Sequence, residues 1–95
     1  MRKYELMIVF RPQLDEETID AALNRYTEII TGAGGEVTNV DKWGKRRLAY
    51  EIDKNTEGYY VVMNFTATTE AVNELDRILK ITDEPIRHLL VRDEQ

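Results

Sequence analysis

Apolar residues in this chain recur at two spacings, and the spacing switches four times along 95 residues. A spacing of two fits a strand and one near 3.6 fits a helix, so the switches divide the chain into elements. Tyr4, Leu6, Ile8 and Phe10 alternate along the first segment, which is rich in β-branched and aromatic residues and closed by Arg11-Pro12. Lys3, Glu5, Met7 and Val9 share its other face, which is mixed rather than polar. Ile19, Ala22, Leu23, Tyr26, Ile29 and Ile30 then recur at helical spacing. Asp15 suits the N-cap, and Glu16 and Glu17 sit where the helix dipole favours carboxylates. Gly32, Gly34 and Gly35 stop the helix.

Extended character resumes at Glu36 to Val40. Val37 and Val40 stand three apart, which predicts a kink or bulge near Asp41 to Gly44 before the strand continues through Leu48 to Ile52. Asn55-Thr56-Glu57-Gly58 is expected to be a turn, followed by a third strand from Tyr59 to Ala67. Thr68 or Thr69 caps a second helix with Val72, Leu75, Ile78 and Leu79 as its buried stripe and Lys80 near its end. Asp83-Glu84-Pro85 breaks that helix, Ile86 to Arg92 forms the last strand, and Asp93-Glu94-Gln95 is expected to fray.

Strand, helix, strand, strand, helix, strand, joined by two right-handed split βαβ crossovers, is the ferredoxin-like α+β arrangement. It implies a four-stranded antiparallel sheet with the first and third strands at its centre and both helices on one face. The other face is expected to be bare and to present Met7, Val9, Tyr60, Val62, Leu89 and Val91. A bare face this apolar suggests a partner.

Residues 1–95 are expected to form a single domain, long enough to bury a core without staples. The chain has no cysteine, which excludes a disulfide scaffold, a thiolate metal site and a cysteine nucleophile. Nothing near Met1 has the pattern of a secretion signal, and the apolar run Leu6 to Phe10 is too short to span a membrane. Reactive groups are few. His88 is the only histidine and is read as packed or partner-facing. The glycine cluster follows a helix instead of preceding one, and no carboxylate pair stands out by spacing. An enzyme, a cofactor, a metal and a small-molecule substrate are therefore not expected.

Charge is more informative. Thirteen basic against eighteen acidic residues give a net charge of -5, which argues against binding nucleic acid over the whole surface. Yet Lys42, Lys45, Arg46, Arg47 and Lys54 fall within one short stretch that also holds the only tryptophan, Trp43. A cationic loop fused to a strand offers charge rigidly to a phosphate backbone or an acidic protein. Arg46 and Arg47 should point to opposite faces. Leu48, Tyr50 and Ile52 are read as one buried face. Glu57 to Asn64 fits the third-strand consensus of RNA-recognition motifs poorly, because Glu57 replaces a basic residue.

Gly44-Lys45-Arg46-Arg47-Leu48-Ala49-Tyr50-Glu51-Ile52 resembles the central motif of protein six of the bacterial small ribosomal subunit. Met1-Arg2-Lys3-Tyr4-Glu5, Gly58-Tyr59-Tyr60 and Asp83-Glu84-Pro85-Ile86-Arg87 resemble other parts of that family, so the likeness runs over essentially the whole chain. Glu51 stands where the family usually has proline, and Asp53 where it usually has a basic or small residue. The resemblance implies a structural, non-enzymatic component of the cytoplasmic ribosome. It implies binding to the central domain of small-subunit rRNA as a heterodimer with protein eighteen of that subunit, helping to assemble the platform. Carried over by motif, Arg2, Lys45, Arg46, Arg47 and Arg87 are the candidates for phosphate or partner contacts. Trp43 is read as packing the loop against the hairpin, with stacking on a base as the alternative. The competing reading is a ferredoxin-like interaction module that oligomerises or binds a ligand through its open face.

Overall fold

The first alternating segment becomes strand β1 (Arg2–Phe10), and both of its sheet neighbours come from far along the chain. The computed structural model describes residues 1–52 and 54–92. Asp53, named above as a departure from the family pattern, and the expected fray at Asp93-Glu94-Gln95 lie outside the described residues. The remaining elements are α1 (Glu16–Gly32), β2 (Glu36–Ile52), β3 (Asn55–Ala67), α2 (Thr69–Ile81) and β4 (Pro85–Arg92). The strands lie in the order β2-β3-β1-β4 and every neighbouring pair is antiparallel, so β1 and β3 hold the centre as expected.

Alternation decides what each central strand buries. Tyr4, Leu6, Ile8 and Phe10 of β1 meet Val61, Met63, Phe65 and Ala67 of β3 beneath the two helices. α1 contributes Ile19, Ala22, Leu23, Tyr26 and Ile30, and α2 contributes Ala71, Val72, Leu75 and Leu79. Each large side chain buried there stabilises the fold by about 1.5–3 kcal/mol. The Tyr4 and Phe65 rings stack with centroids 5.7 Å apart.

The helix ends follow their caps. Asp15 accepts a hydrogen bond from the Thr18 backbone N–H at 2.8 Å, and that bond holds its carboxyl below the usual carboxylate range. Thr68, not Thr69, caps α2 by accepting from the Ala71 N–H at 3.2 Å, an arrangement typically worth about 1 kcal/mol. Asp76 of α2 ties down β4: it bonds Lys80 at 2.9 Å and His88 at 2.9 Å. The Lys80 bond first, and then that to His88, lower the Asp76 pKa. His88 is thus packed against the second helix.

Two expectations fail at the β2–β3 hairpin. Asn55 to Gly58 is strand, not turn, because Asn55 already stands opposite Ile52, and Glu57 and Gly58 opposite Arg47 and Arg46. Lys54 sits in the left-handed region at φ 65°. Asn55 is buried, and its Oδ1 accepts from Gln13 Nε2 at 3.0 Å, which secures the start of β3. Gly58 is there for space: a Cβ would lie 2.3 Å from Val9 Cγ1.

The second failure concerns the face away from the helices, which is partly covered. Arg47 pairs with Glu57 and Ile52 with Asn55, so residues 48–51 of β2 face a single residue of β3. The surplus chain bulges over the sheet. Leu48 is buried against Gly58 on this side, outside the helix-side core. Ala49, Tyr50 and Ile52 join Met7, Val9, Tyr60 and Leu89 around a cavity of about 200 Å³. Leu48, Tyr50 and Ile52 therefore do not form one buried face; Tyr50 is 61% exposed. The expected residues do share the open side by register, since Met7 pairs with both Val62 and Leu89.

Candidate functional site

β2 is an edge strand of 17 residues in which Leu48 alone is buried. A strand with one free edge and almost no buried side chains can carry dense charge without paying for its desolvation. Register irregularities at Val37/Asn39 and Lys42/Gly44 give it the bend that the valine spacing predicted. At the second, Lys42 stands opposite Val61 and Gly44 opposite Tyr60, leaving Trp43 as the additional residue. Gly44, at φ 83°, takes the left-handed turn this requires.

The bend sets out the charges. Lys42 faces the helices and is engaged there by Asp20, a bond that raises its pKa. Beside it, the Tyr59 hydroxyl donates to Glu16 Oε1 at 3.2 Å; burial first, and then that bond, push the phenol up. Lys45, Arg46 and Arg47 follow, all exposed. They pair with Tyr59, Gly58 and Glu57, so Arg46 projects to the open face while Lys45 and Arg47 project to the helix side. Among the described residues, none of the three makes an ion pair. They straddle one rim of the sheet.

Trp43 turns onto the open face and stacks on Tyr60, with centroids 6.3 Å apart and planes 9° from parallel. Its Nε1–H donates to Asp41 Oδ2 at 3.0 Å. The loop does pack against the hairpin, yet Trp43 keeps 43% exposure.

Arg87 belongs to the same end of the sheet. Gly44, Tyr60, Val9 and Arg87 form one row across the four strands, which places Arg87 about 14 Å from the β2 edge. Its Nη1 donates to the Tyr50 hydroxyl at 2.6 Å, and the guanidinium lies 6.0 Å from the Tyr50 ring centroid. Tyr50 reaches it from the bulge, across two intervening strands. Arg2 is not part of this grouping. It pairs with Ala67, at the end of β3 remote from Tyr59, roughly 27 Å along the strand. Sequence reasoning puts Tyr60 on the open face but not beneath Trp43, and puts Tyr50 in the core; the irregularities of β2 bring Trp43 onto Tyr60 and carry Tyr50 to Arg87.

Among the described residues no group of His, Cys, Asp and Glu could hold a metal ion. No described helix is long and apolar enough to cross a membrane. What the arrangement offers chemically is a cationic rim, with an aromatic stack and an arginine beside it on an otherwise apolar face.

Comparison with known proteins shows what the whole chain is similar to. The family profile described as Ribosomal protein S6 matches residues 3–92. The small ribosomal subunit protein bS6 of Carboxydothermus hydrogenoformans is 50% identical over 95 residues, covering 100% of this chain and 99% of the relative. The bS6 protein of Clostridium botulinum strain 657 is 53% identical over 94 residues, covering 99% of this chain and 100% of the relative. The crystal structure of 30S ribosomal protein S6 from Thermotoga maritima superposes with a TM-score of 0.89 at 33% identity, over 97% of this chain and 87% of that one. A protein of Arabidopsis thaliana shares the fold alone, with a TM-score of 0.59 at 14% identity.

Proposed function

This chain belongs to the ribosomal protein S6 family of the small ribosomal subunit, and on that premise we propose that it binds the central domain of small-subunit rRNA through the rim of its β2 edge. The family is structural, not enzymatic, and its place is the cytoplasmic ribosome. The observation that supports RNA contact is the run Lys45-Arg46-Arg47: three consecutive cations, exposed, and without ion pairs among the described residues. Such charges displace counterions from phosphates at little cost, because they give up no internal partner on binding. Lys42, by contrast, is engaged by Asp20. Arg87 supplies a further cation on the open face, and its fork can take phosphate or carboxylate. Arg2, at the far end of β1, would meet a different part of an extended partner.

A net charge of -5 sets a limit on what one rim achieves. The net negative charge of the whole chain opposes RNA, so affinity should depend on a second, basic protein that shares the RNA. We assign that role to protein eighteen of the small subunit, held as a heterodimer, and assembly of the platform to the pair. The side chains of the open face that point outward, Leu89 at 58% and Val91 at 47% exposure, suit a protein partner.

Labelled central-domain rRNA, titrated across a salt series with and without protein eighteen, tests this reading. Binding that needs the partner and weakens as salt rises is expected. Tight, salt-insensitive binding by the isolated protein would overturn the division of labour. Absence of binding in both conditions, from folded samples, would remove the rim from RNA and leave an interaction module.

A further inference from the structure

We infer that the Trp43–Tyr60 stack is a platform for an unpaired nucleobase, with Arg46 beside it for the adjoining phosphate; this rests on the RNA-binding reading above and names the part of the RNA that the rim takes. Trp43 is the additional residue at a bulge, and left-handed Gly44 turns it out of the ladder onto the open face. Two contacts then fix its plane. Tyr60, on a central strand, supports the indole at 9° from parallel, and Asp41 accepts its N–H. A surface aromatic held this firmly loses little freedom when a ligand stacks on it. Yet Trp43 remains 43% exposed, beside an open depression of about 520 Å³ lined by Trp43, Arg46 and Tyr60. A planar π-face next to a cation without an ion pair among the described residues suits a flat ring carrying a nearby anion, which is the chemistry of a nucleotide.

The same geometry indicates how selective the platform is. Asp41 already occupies the only hydrogen-bond donor of the indole, so Trp43 offers a face and no polar edge. Stacking without edge readout tolerates sequence, and it requires a base that is out of a duplex. The ligand class is therefore single-stranded or bulged RNA. Duplex backbone would meet only the cations.

Trp43 is the only tryptophan, so its fluorescence reports the site directly. The full chain would be titrated at low salt with single-stranded oligoadenylate, with the same strand in duplex with oligouridylate, and with inorganic polyphosphate. Quenching by the single strand alone is expected. With end-labelled oligoadenylate, Trp43→Ala should weaken binding roughly five- to hundred-fold with the salt slope unchanged, and Trp43→Phe should recover most of the loss. Binding of the labelled strand without quenching, equal quenching by polyphosphate, or wild-type affinity in Trp43→Ala would overturn the platform while leaving phosphate binding by the rim intact. Quenching by a partner protein but by no oligonucleotide would make the stack a protein-docking surface and also overturn it. Failure of the wild-type protein to bind any oligonucleotide at low salt would overturn the platform, whereas the RNA-binding reading stands or falls separately on the titration of central-domain rRNA with protein eighteen.

Discussion

The two faces of this sheet are drawn from alternate residues of the same strands, yet they are finished in different ways. On the helix side, Leu6, Ile8, Phe10, Val61, Met63 and Phe65 are closed over by α1 and α2 and retain at most 1% exposure. On the open side, Val9 and Val62 are also buried, but what covers this part of the sheet includes the chain's own β2 bulge and the Trp43 ring. Around that smaller apolar centre stand Arg46, Arg87, Leu89 and Val91, pointing outward. A period of two lets neighbouring positions serve different ends: one residue sets stability and the next is free to meet a partner. Substitutions one position apart should then differ sharply in consequence.

The largest effect belongs to the helix side. Phe65→Ala should cost about 3–5 kcal/mol in a urea melt, since the ring is fully buried and stacked on Tyr4. A loss below about 1 kcal/mol would break the comparison, because stability would then reside elsewhere. Next comes the closed centre of the open side. Gly58→Ala would place a methyl against Val9 and should cost about 1–3 kcal/mol; no loss at all would show that the bulge is loosely seated. The clasp at the rim should matter less. Tyr50→Phe removes the hydrogen bond to Arg87 but keeps the ring, and a loss of about 0.5–1 kcal/mol is expected by the same melt. If Tyr50→Phe cost as much as Gly58→Ala, the bulge would be held by its clasp more than by Leu48.

How far the sequence could be read follows the same division. The helix side was legible because its residues obey one period per element: Tyr4, Leu6, Ile8 and Phe10 at two, and Ile19, Leu23, Tyr26 and Ile30 at helical spacing. The topology followed from the order of those periods. The open side was only half legible. Met7, Val9, Tyr60 and Val62 could be assigned by alternation, but two bulges in β2 shift everything after Lys42. Alternation assigned Tyr50 to the core, whereas four residues set against one carry it over the sheet to Arg87. Asn55 to Gly58 has the composition of a turn, although Gly58 is needed for space beside Val9 and Asn55 for its bond to Gln13. Composition cannot separate a glycine that turns from one that makes room. The candidate cations were visible as a run, but their division between Lys42, engaged by Asp20, and Lys45 to Arg47, without ion pairs among the described residues, required the three-dimensional structure.

The smallest effect on stability should carry the largest effect on binding, and it tests the central claim that the β2 rim meets RNA while the helix side holds the fold. The measurement is a parallel one on Arg46→Ala/Arg47→Ala: thermal unfolding, and the salt dependence of central-domain rRNA binding with protein eighteen present. The account predicts a stability change within about 0.5 kcal/mol, because both side chains are exposed and neither makes an ion pair among the described residues. It predicts weaker binding, with the slope of log K against log salt shallower by roughly one for each phosphate that the variant no longer neutralises. Unchanged binding, or a loss of stability that tracks the loss of binding, would contradict it.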